Sequence, residues 1–149
     1  MTTETEVKTM KLFQPAMNQT AYLKLGLYGF AGSGKTFTAT LIAIGMMGRL
    51  KTTKPVAFFD TETGSDWVIP NFKAKGLDLV VVKRWAFKDL LEAVKEAEQY
   101  CEVLIIDSIS HVWNELLNTY MREKGKKRLD FPDWNVLKPQ WQQFTDLYL

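Results

Sequence analysis

The chain has 149 residues, 46% hydrophobic and 24% charged, with a formal net charge of +2. That size suits one domain around one core, and the charge is too even to announce a nucleic-acid binder on its own. The single cysteine, Cys101, excludes an internal disulfide and a cysteine metal cluster, and no apolar run approaches the ~20 residues of a membrane span.

Residues 1–20 are polar and show no sustained period, so they are expected to form an N-terminal arm ahead of a core domain over 21–149. They lack a charged-then-apolar secretory pattern, which makes the cytoplasm the expected location. Tyr22–Tyr28 alternates, with Leu23, Leu25 and Leu27 on one side, and reads as a strand. Gly29-Phe30-Ala31-Gly32-Ser33-Gly34-Lys35-Thr36 follows, and it fits G-x-x-x-x-G-K-[ST] at every fixed position. A helix is expected over Phe37–Met47, closed by Gly48.

The chemistry of that loop is mostly backbone chemistry. Glycines let the main chain curl so that its N–H groups face phosphate oxygens, and the following helix adds the partial positive charge of its N-terminus. Gly29 through Thr36, with Phe37 closing the turn, are therefore the expected nucleotide-binding residues. Lys35 is expected to reach the β- and γ-phosphates, and the Thr36 hydroxyl to coordinate Mg²⁺. The alternative reading is a glycine-rich turn that matches by accident.

Pro55 opens a second strand, Val56–Phe59, whose continuous apolar run suits burial on both faces. Asp60-Thr61-Glu62-Thr63-Gly64 comes next, then a turn region with Pro70 and Gly76. Leu79–Val82 reads as a third strand, and Phe87–Gln99 as a helix with Phe87, Leu90, Leu91, Val94 and Ala97 on one stripe. Val103–Ile106 is a fourth strand, closed by Asp107-Ser108. A helix over about Ser110–Lys124 ends at Gly125, ahead of the basic run Lys124–Arg128. Asp133 is expected to cap a short turn through Leu137, and Pro139 to open the last helix.

Short apolar strands separated by helices predict an α/β fold with a parallel sheet and helices on both faces. Three polar clusters (the phosphate loop, Asp60–Glu62 and Asp107-Ser108) each follow a predicted strand, so all three should meet at the carboxyl edge of the sheet. Asp107 is the expected Mg²⁺ carboxylate beside Thr36; the alternative is a strand-end turn residue. Glu62 is the expected catalytic carboxylate, orienting or deprotonating an attacking water, with Asp60 supporting either the magnesium or the loop network. Either acid as a simple cap is the alternative. His111 reads as a structural or surface residue. Most of the five tryptophans read as core, and Lys83-Arg84 as a solvated strand end.

The ordered set Gly29–Thr36, Asp60-Thr61-Glu62 and Val103–Ser108 resembles the RecA-like P-loop ATPase core. It is most similar to phage-type members, the AAA-domain nucleotide-binding proteins associated with single-strand annealing and recombination. Phe131–Trp141 also looks like those members, and the resemblance spans roughly residues 22–149. It implies a Mg²⁺-dependent ATPase in which Lys35 acts on phosphate, Thr36 and Asp107 on the metal, and Glu62 on water. ATP and Mg²⁺ are the implied cofactors. Single-stranded DNA and further copies of the chain are the implied partners, and no membrane is implied. RecA-like cores place one more strand between the phosphate-loop strand and the Mg²⁺-site strand; the chain reaches Leu149 without it, so the core is expected to be incomplete at its C-terminus. Two other readings stand beside this one: a small-molecule phosphotransferase with an Arg122–Arg128 lid, and a nucleotide-binding module without turnover.

Overall fold

The computed structural model describes Ala16 and residues 22–148. The expected arm over 1–20 otherwise lies outside the described residues. The described elements are α1 (Lys35–Leu50), β1 (Val56–Asp60), α2 (Ser65–Lys73), β2 (Leu79–Lys83), α3 (Phe87–Tyr100), β3 (Val103–Asp107) and α4 (Ile109–Glu123). A 3₁₀ turn, Phe131–Asp133, then leads into α5 (Trp134–Tyr148).

The sheet is parallel throughout, in the order β2-β1-β3, with β1 at the centre. Asp60 is paired in register with Lys83 on one side and Asp107 on the other, so the carboxyl ends of all three strands share one edge. The chain steps outward from β1 to β2 and then back across β1 to β3. Right-handed crossovers taken in opposite directions put their helices on opposite faces. The packing follows that rule. Ala43 and Met47 of α1 and Val68 and Phe72 of α2 pack with Val56, Phe58 and Ile105. Leu90 and Val94 of α3, Val112 of α4 and Phe144 of α5 pack with Phe59, Leu104 and Ile106. Neighbouring phenylalanines therefore serve opposite cores, which is why the β1 sequence runs apolar without alternating. The structure is the α/β P-loop NTPase type with helices on both faces.

Four local expectations are corrected. Tyr22–Tyr28 forms no ladder: among the described residues no strand lies beside it, and Leu23, Leu25 and Leu27 are exposed. Alternation gives a segment a strand-like pattern, but a ladder also requires a neighbour to take its N–H and C=O groups. Helix α1 runs through Gly48 to Leu50, held by buried Met47, and left-handed Lys51 (φ 51°) closes it by donating its N–H to the Met47 carbonyl. The Pro70 turn is helix α2, and the last helix begins at Trp134 with Pro139 inside it. Each proline forgoes one helical hydrogen bond. Burial of Val68 and Phe72, and of Leu137 and Phe144, outweighs that loss. The turn residue Asp133 accepts from the Asp130 N–H at 2.7 Å and from the Tyr120 hydroxyl at 2.9 Å.

Candidate functional site

The phosphate loop leaves the exposed segment Tyr22–Tyr28 and runs into the first turn of α1. Gly32 (φ 77°) and Gly34 (φ 84°) take left-handed backbone that other residues adopt only with strain. The Ser33 N–H donates to the Phe30 carbonyl at 3.2 Å, closing the turn. The Lys35 ammonium donates to the Gly29 and Phe30 carbonyls, each at 3.0 Å, so it is folded over its own loop. Phe30 and Phe37 are exposed and Ala31 lies in the turn between them. Buried Thr40, one turn along α1, donates to the Thr36 carbonyl at 2.9 Å and holds the helix start.

The acidic edge meets this loop at Thr36. Thr36 Oγ1 donates to Asp107 Oδ2 at 2.5 Å. Two sequence clusters 71 positions apart are thus joined where the phosphate loop becomes helix. Gly64 lies against the same pair: a Cβ there would sit 3.1 Å from Asp107 Oδ2 and 3.2 Å from Thr36 Cγ2. The peptide bond between Asp107 and Ser108 is cis.

Asp60 faces inward and is 1% exposed. Its oxygens accept from the N–H groups of Glu62 (2.9 Å), Gly64 (3.2 Å) and Ser65 (2.9 Å), and from the Ser65 hydroxyl. Of the two supporting roles open to Asp60, its hydrogen bonds describe the loop network: it folds the 60–65 turn and starts α2. Burial pushes its pKa up, but the hydrogen bonds from Ser65, Glu62 and Gly64 outweigh that and hold it below the ordinary 3.8. Glu62, two residues on, lies past the bend that follows β1, outside the buried network around Asp60. It is half exposed, and its Oε1 lies 3.4 Å from His111 Nε2.

Thr61 ties this acidic turn to β3. Its N–H donates to the Asp107 carbonyl at 2.7 Å, and its Oγ1 accepts from the Ser108 N–H at 2.8 Å. The same oxygen lies 3.1 Å from His111 Nδ1. Three residues thus matter more than the sequence reading assigns them: Thr61, Gly64 and His111. Their signal was position, since two fall inside the polar stretch after β1 and the third sits one turn into the helix after Asp107. Arg122 donates to Thr119 and Arg128 pairs with Asp130, so the two arginines of the supposed lid are held locally. Lys83 pairs with Asp66 at 2.7 Å. Half-buried Trp113 stacks on Trp134 and meets Trp141 edge-on, all three packed against the Leu116–Tyr120–Leu137 core, while Trp67 and Trp85 are exposed.

No helix among the described residues is long and apolar enough to cross a membrane. No curated protein and no solved structure matches the chain. The family pattern described as AAA domain matches residues 21–148, which takes in the phosphate loop, the Asp60–Gly64 turn and the Asp107 edge. The chain belongs to the AAA domain family, and its core is an AAA-type P-loop ATPase domain.

Proposed function

We propose that this chain binds ATP with Mg²⁺, hydrolyses it, and assists annealing or recombination of single-stranded DNA in a phage setting. The hydrolytic part rests on one observation, the 2.5 Å approach of Thr36 Oγ1 to Asp107 Oδ2. A hydroxyl and a carboxylate are hard oxygen donors, and their convergence at the exit of a phosphate loop suits Mg²⁺. Among the described residues no group of three or more His, Cys, Asp or Glu gathers to hold a metal unaided. That fits a cation bound through one carboxylate, one hydroxyl and the nucleotide's own phosphates.

When bound, Mg²⁺ would neutralise charge on the β- and γ-phosphate oxygens. The loop N–H groups and the start of α1 would hold the same phosphates. Lys35 would exchange its two carbonyl partners for phosphate oxygens. Glu62 would accept a hydrogen bond from water and take its proton as the water oxygen bonds to the γ-phosphorus and the bond to the ADP oxygen breaks. The single-stranded DNA role and a homo-oligomer rest on the RecA-like resemblance, in which a neighbouring subunit supplies a further cation to the phosphates.

The test is phosphate release from Mg²⁺-ATP with and without single-stranded DNA. Glu62→Gln should lower turnover about a hundredfold while a fluorescent ATP analogue still binds. Equal turnover in the variant would remove Glu62 from the mechanism. Binding without turnover is the second reading, and one observation favours it. The segment leading into the phosphate loop has no ladder partner among the described residues, which leaves the loop tied to the sheet edge through Thr36 and Asp107. Analogue binding with no phosphate release from the unaltered chain would select that reading.

A further inference from the structure

Beside the acidic edge lies a cavity of about 450 Å³, open to solvent as a surface groove, that the chemistry above does not use. Thr61, His111 and Trp85 line it, together with Asn114, Asn118 and Arg122 of α4. Residues 111, 114, 118 and 122 recur at helical spacing, so α4 carries a continuous polar stripe opposite its buried Val112, Leu116 and Tyr120. Trp85 is 62% exposed, an indole left in solvent at the end of β2 with exposed Arg84 before it. The one carboxylate in the wall is already committed. Glu115 accepts from the Phe87 N–H at 3.1 Å and from the Thr119 hydroxyl at 2.8 Å, which caps the start of α3. Thr119 in turn accepts from Arg122 at 3.0 Å and holds the guanidinium along α4, where both residues line the cavity.

An exposed indole offers a stacking face, side-chain amides offer donor and acceptor pairs to base edges, and arginine offers a phosphate fork. Together they suit a base joined to a phosphate. They do not include any residue of the phosphate loop. We propose that this cavity seats a nucleotide unit of single-stranded nucleic acid, and that His111 couples its occupancy to Glu62. The coupling, though not the binding, rests on the hydrolytic reading of Glu62.

The route is short. His111 forms part of the cavity wall, its Nδ1 is 3.1 Å from Thr61 Oγ1, and its Nε2 is 3.4 Å from Glu62 Oε1. Thr61 Oγ1, which also lies 3.1 Å from the Asp107 carbonyl, and the Glu62 carboxylate therefore flank the two ring nitrogens. A strand pressing on that imidazole moves the group that holds Glu62, and so changes where the carboxylate can meet water.

The experiment uses the full chain, a fluorescein-labelled oligothymidylate read by anisotropy, and a fluorescent ATP analogue read separately. Trp85→Ala should weaken oligonucleotide binding about tenfold, and Trp85→Phe should restore most of it. Arg122→Ala should weaken binding and flatten its salt dependence. All three should bind the ATP analogue as the unaltered chain does. His111→Gln, assayed at oligonucleotide concentrations that saturate its binding, should lose the oligonucleotide's effect on phosphate release. The binding proposal is overturned if the oligonucleotide does not bind, if Trp85→Ala binds it unchanged, or if thymidine monophosphate competes as well as the oligonucleotide. The coupling is overturned if His111→Gln responds to the oligonucleotide as the unaltered chain does. Failure of the ATP analogue to bind would instead sink the nucleotide reading and leave the cavity result standing.

Discussion

The two halves of the site are built in different ways. The acidic half is part of the sheet: Asp60 and Asp107 are register partners at the ends of paired strands, and Thr61 stitches their turns together. The phosphate half hangs from an exposed segment, Tyr22–Tyr28, that pairs with no strand among the described residues. It meets the acidic half through the Thr36–Asp107 hydrogen bond, and α1 packs below it. One half is positioned by its own backbone ladders, the other by the packing of α1 on the sheet and the Thr36–Asp107 side-chain contact. Substitutions in the first should therefore cost folding stability, and those in the second should act on ligand binding.

Asp60 tests the first half most severely. Asp60→Asn replaces an acceptor with an amide that faces three N–H donors and a hydroxyl. Stability in chemical denaturation should fall by about 3 kcal/mol. The pH dependence fixes the cause. The folded pKa of Asp60 lies below its unfolded value of 3.8, so its contribution is fully present above that value and is lost as pH falls through the folded one. The gap between the unaltered chain and Asp60→Asn should hold steady at neutral pH and close only below about pH 4. A gap that stays constant into acid would mean the lost packing, not the charge, matters.

Gly64 sits where the halves touch, so its effect should be smaller and divided. A methyl there has to displace Asp107 Oδ2 or Thr36 Cγ2 by a few tenths of an ångström. Gly64→Ala should cost about 1 kcal/mol of stability. It should also weaken ATP-analogue binding in Mg²⁺ more than binding without it, because the shifted atoms belong to the two candidate metal ligands. Calorimetric titration with and without Mg²⁺ separates the two effects. Equal weakening in both conditions would assign Gly64 to the fold alone.

How much of this was legible in the sequence follows from the same division. The phosphate loop is a local pattern whose chemistry lies in its own backbone, and Gly32 and Gly34 adopt the left-handed angles the pattern implies. The strands β1 and β3 announced themselves as apolar runs because both sheet faces are covered. Asp60 was harder, since two carboxylates two residues apart look alike until the chain bends between them. His111 was harder still: as the only histidine it had no partner to mark it, and its two contacts come from residues 50 and 49 positions away. Pro70 and Pro139 read as breaks because proline propensity is local, whereas the helices around them are held by distant cores. The segment Tyr22–Tyr28 misled in the opposite sense, having the alternation of a strand without a neighbour.

That segment supplies the smallest expected effect and the sharpest contrast. Leu25 is 47% exposed, and its position carries no ladder hydrogen bond among the described residues. Leu25→Ser should change stability by less than about 0.5 kcal/mol, the ordinary result at a surface site. The same polar change at a buried sheet position, Ile105→Ser, removes a side chain from the core between α1, α2 and the sheet and should cost several-fold more. If Leu25→Ser proves as damaging as Ile105→Ser, the segment is paired and buried in solution. A further strand then stands beside it, and the phosphate half is held by the sheet after all. A null result at Leu25 alongside a large one at Ile105 keeps the halves distinct, with α1 and the Thr36–Asp107 contact as the means by which the loop finds its place.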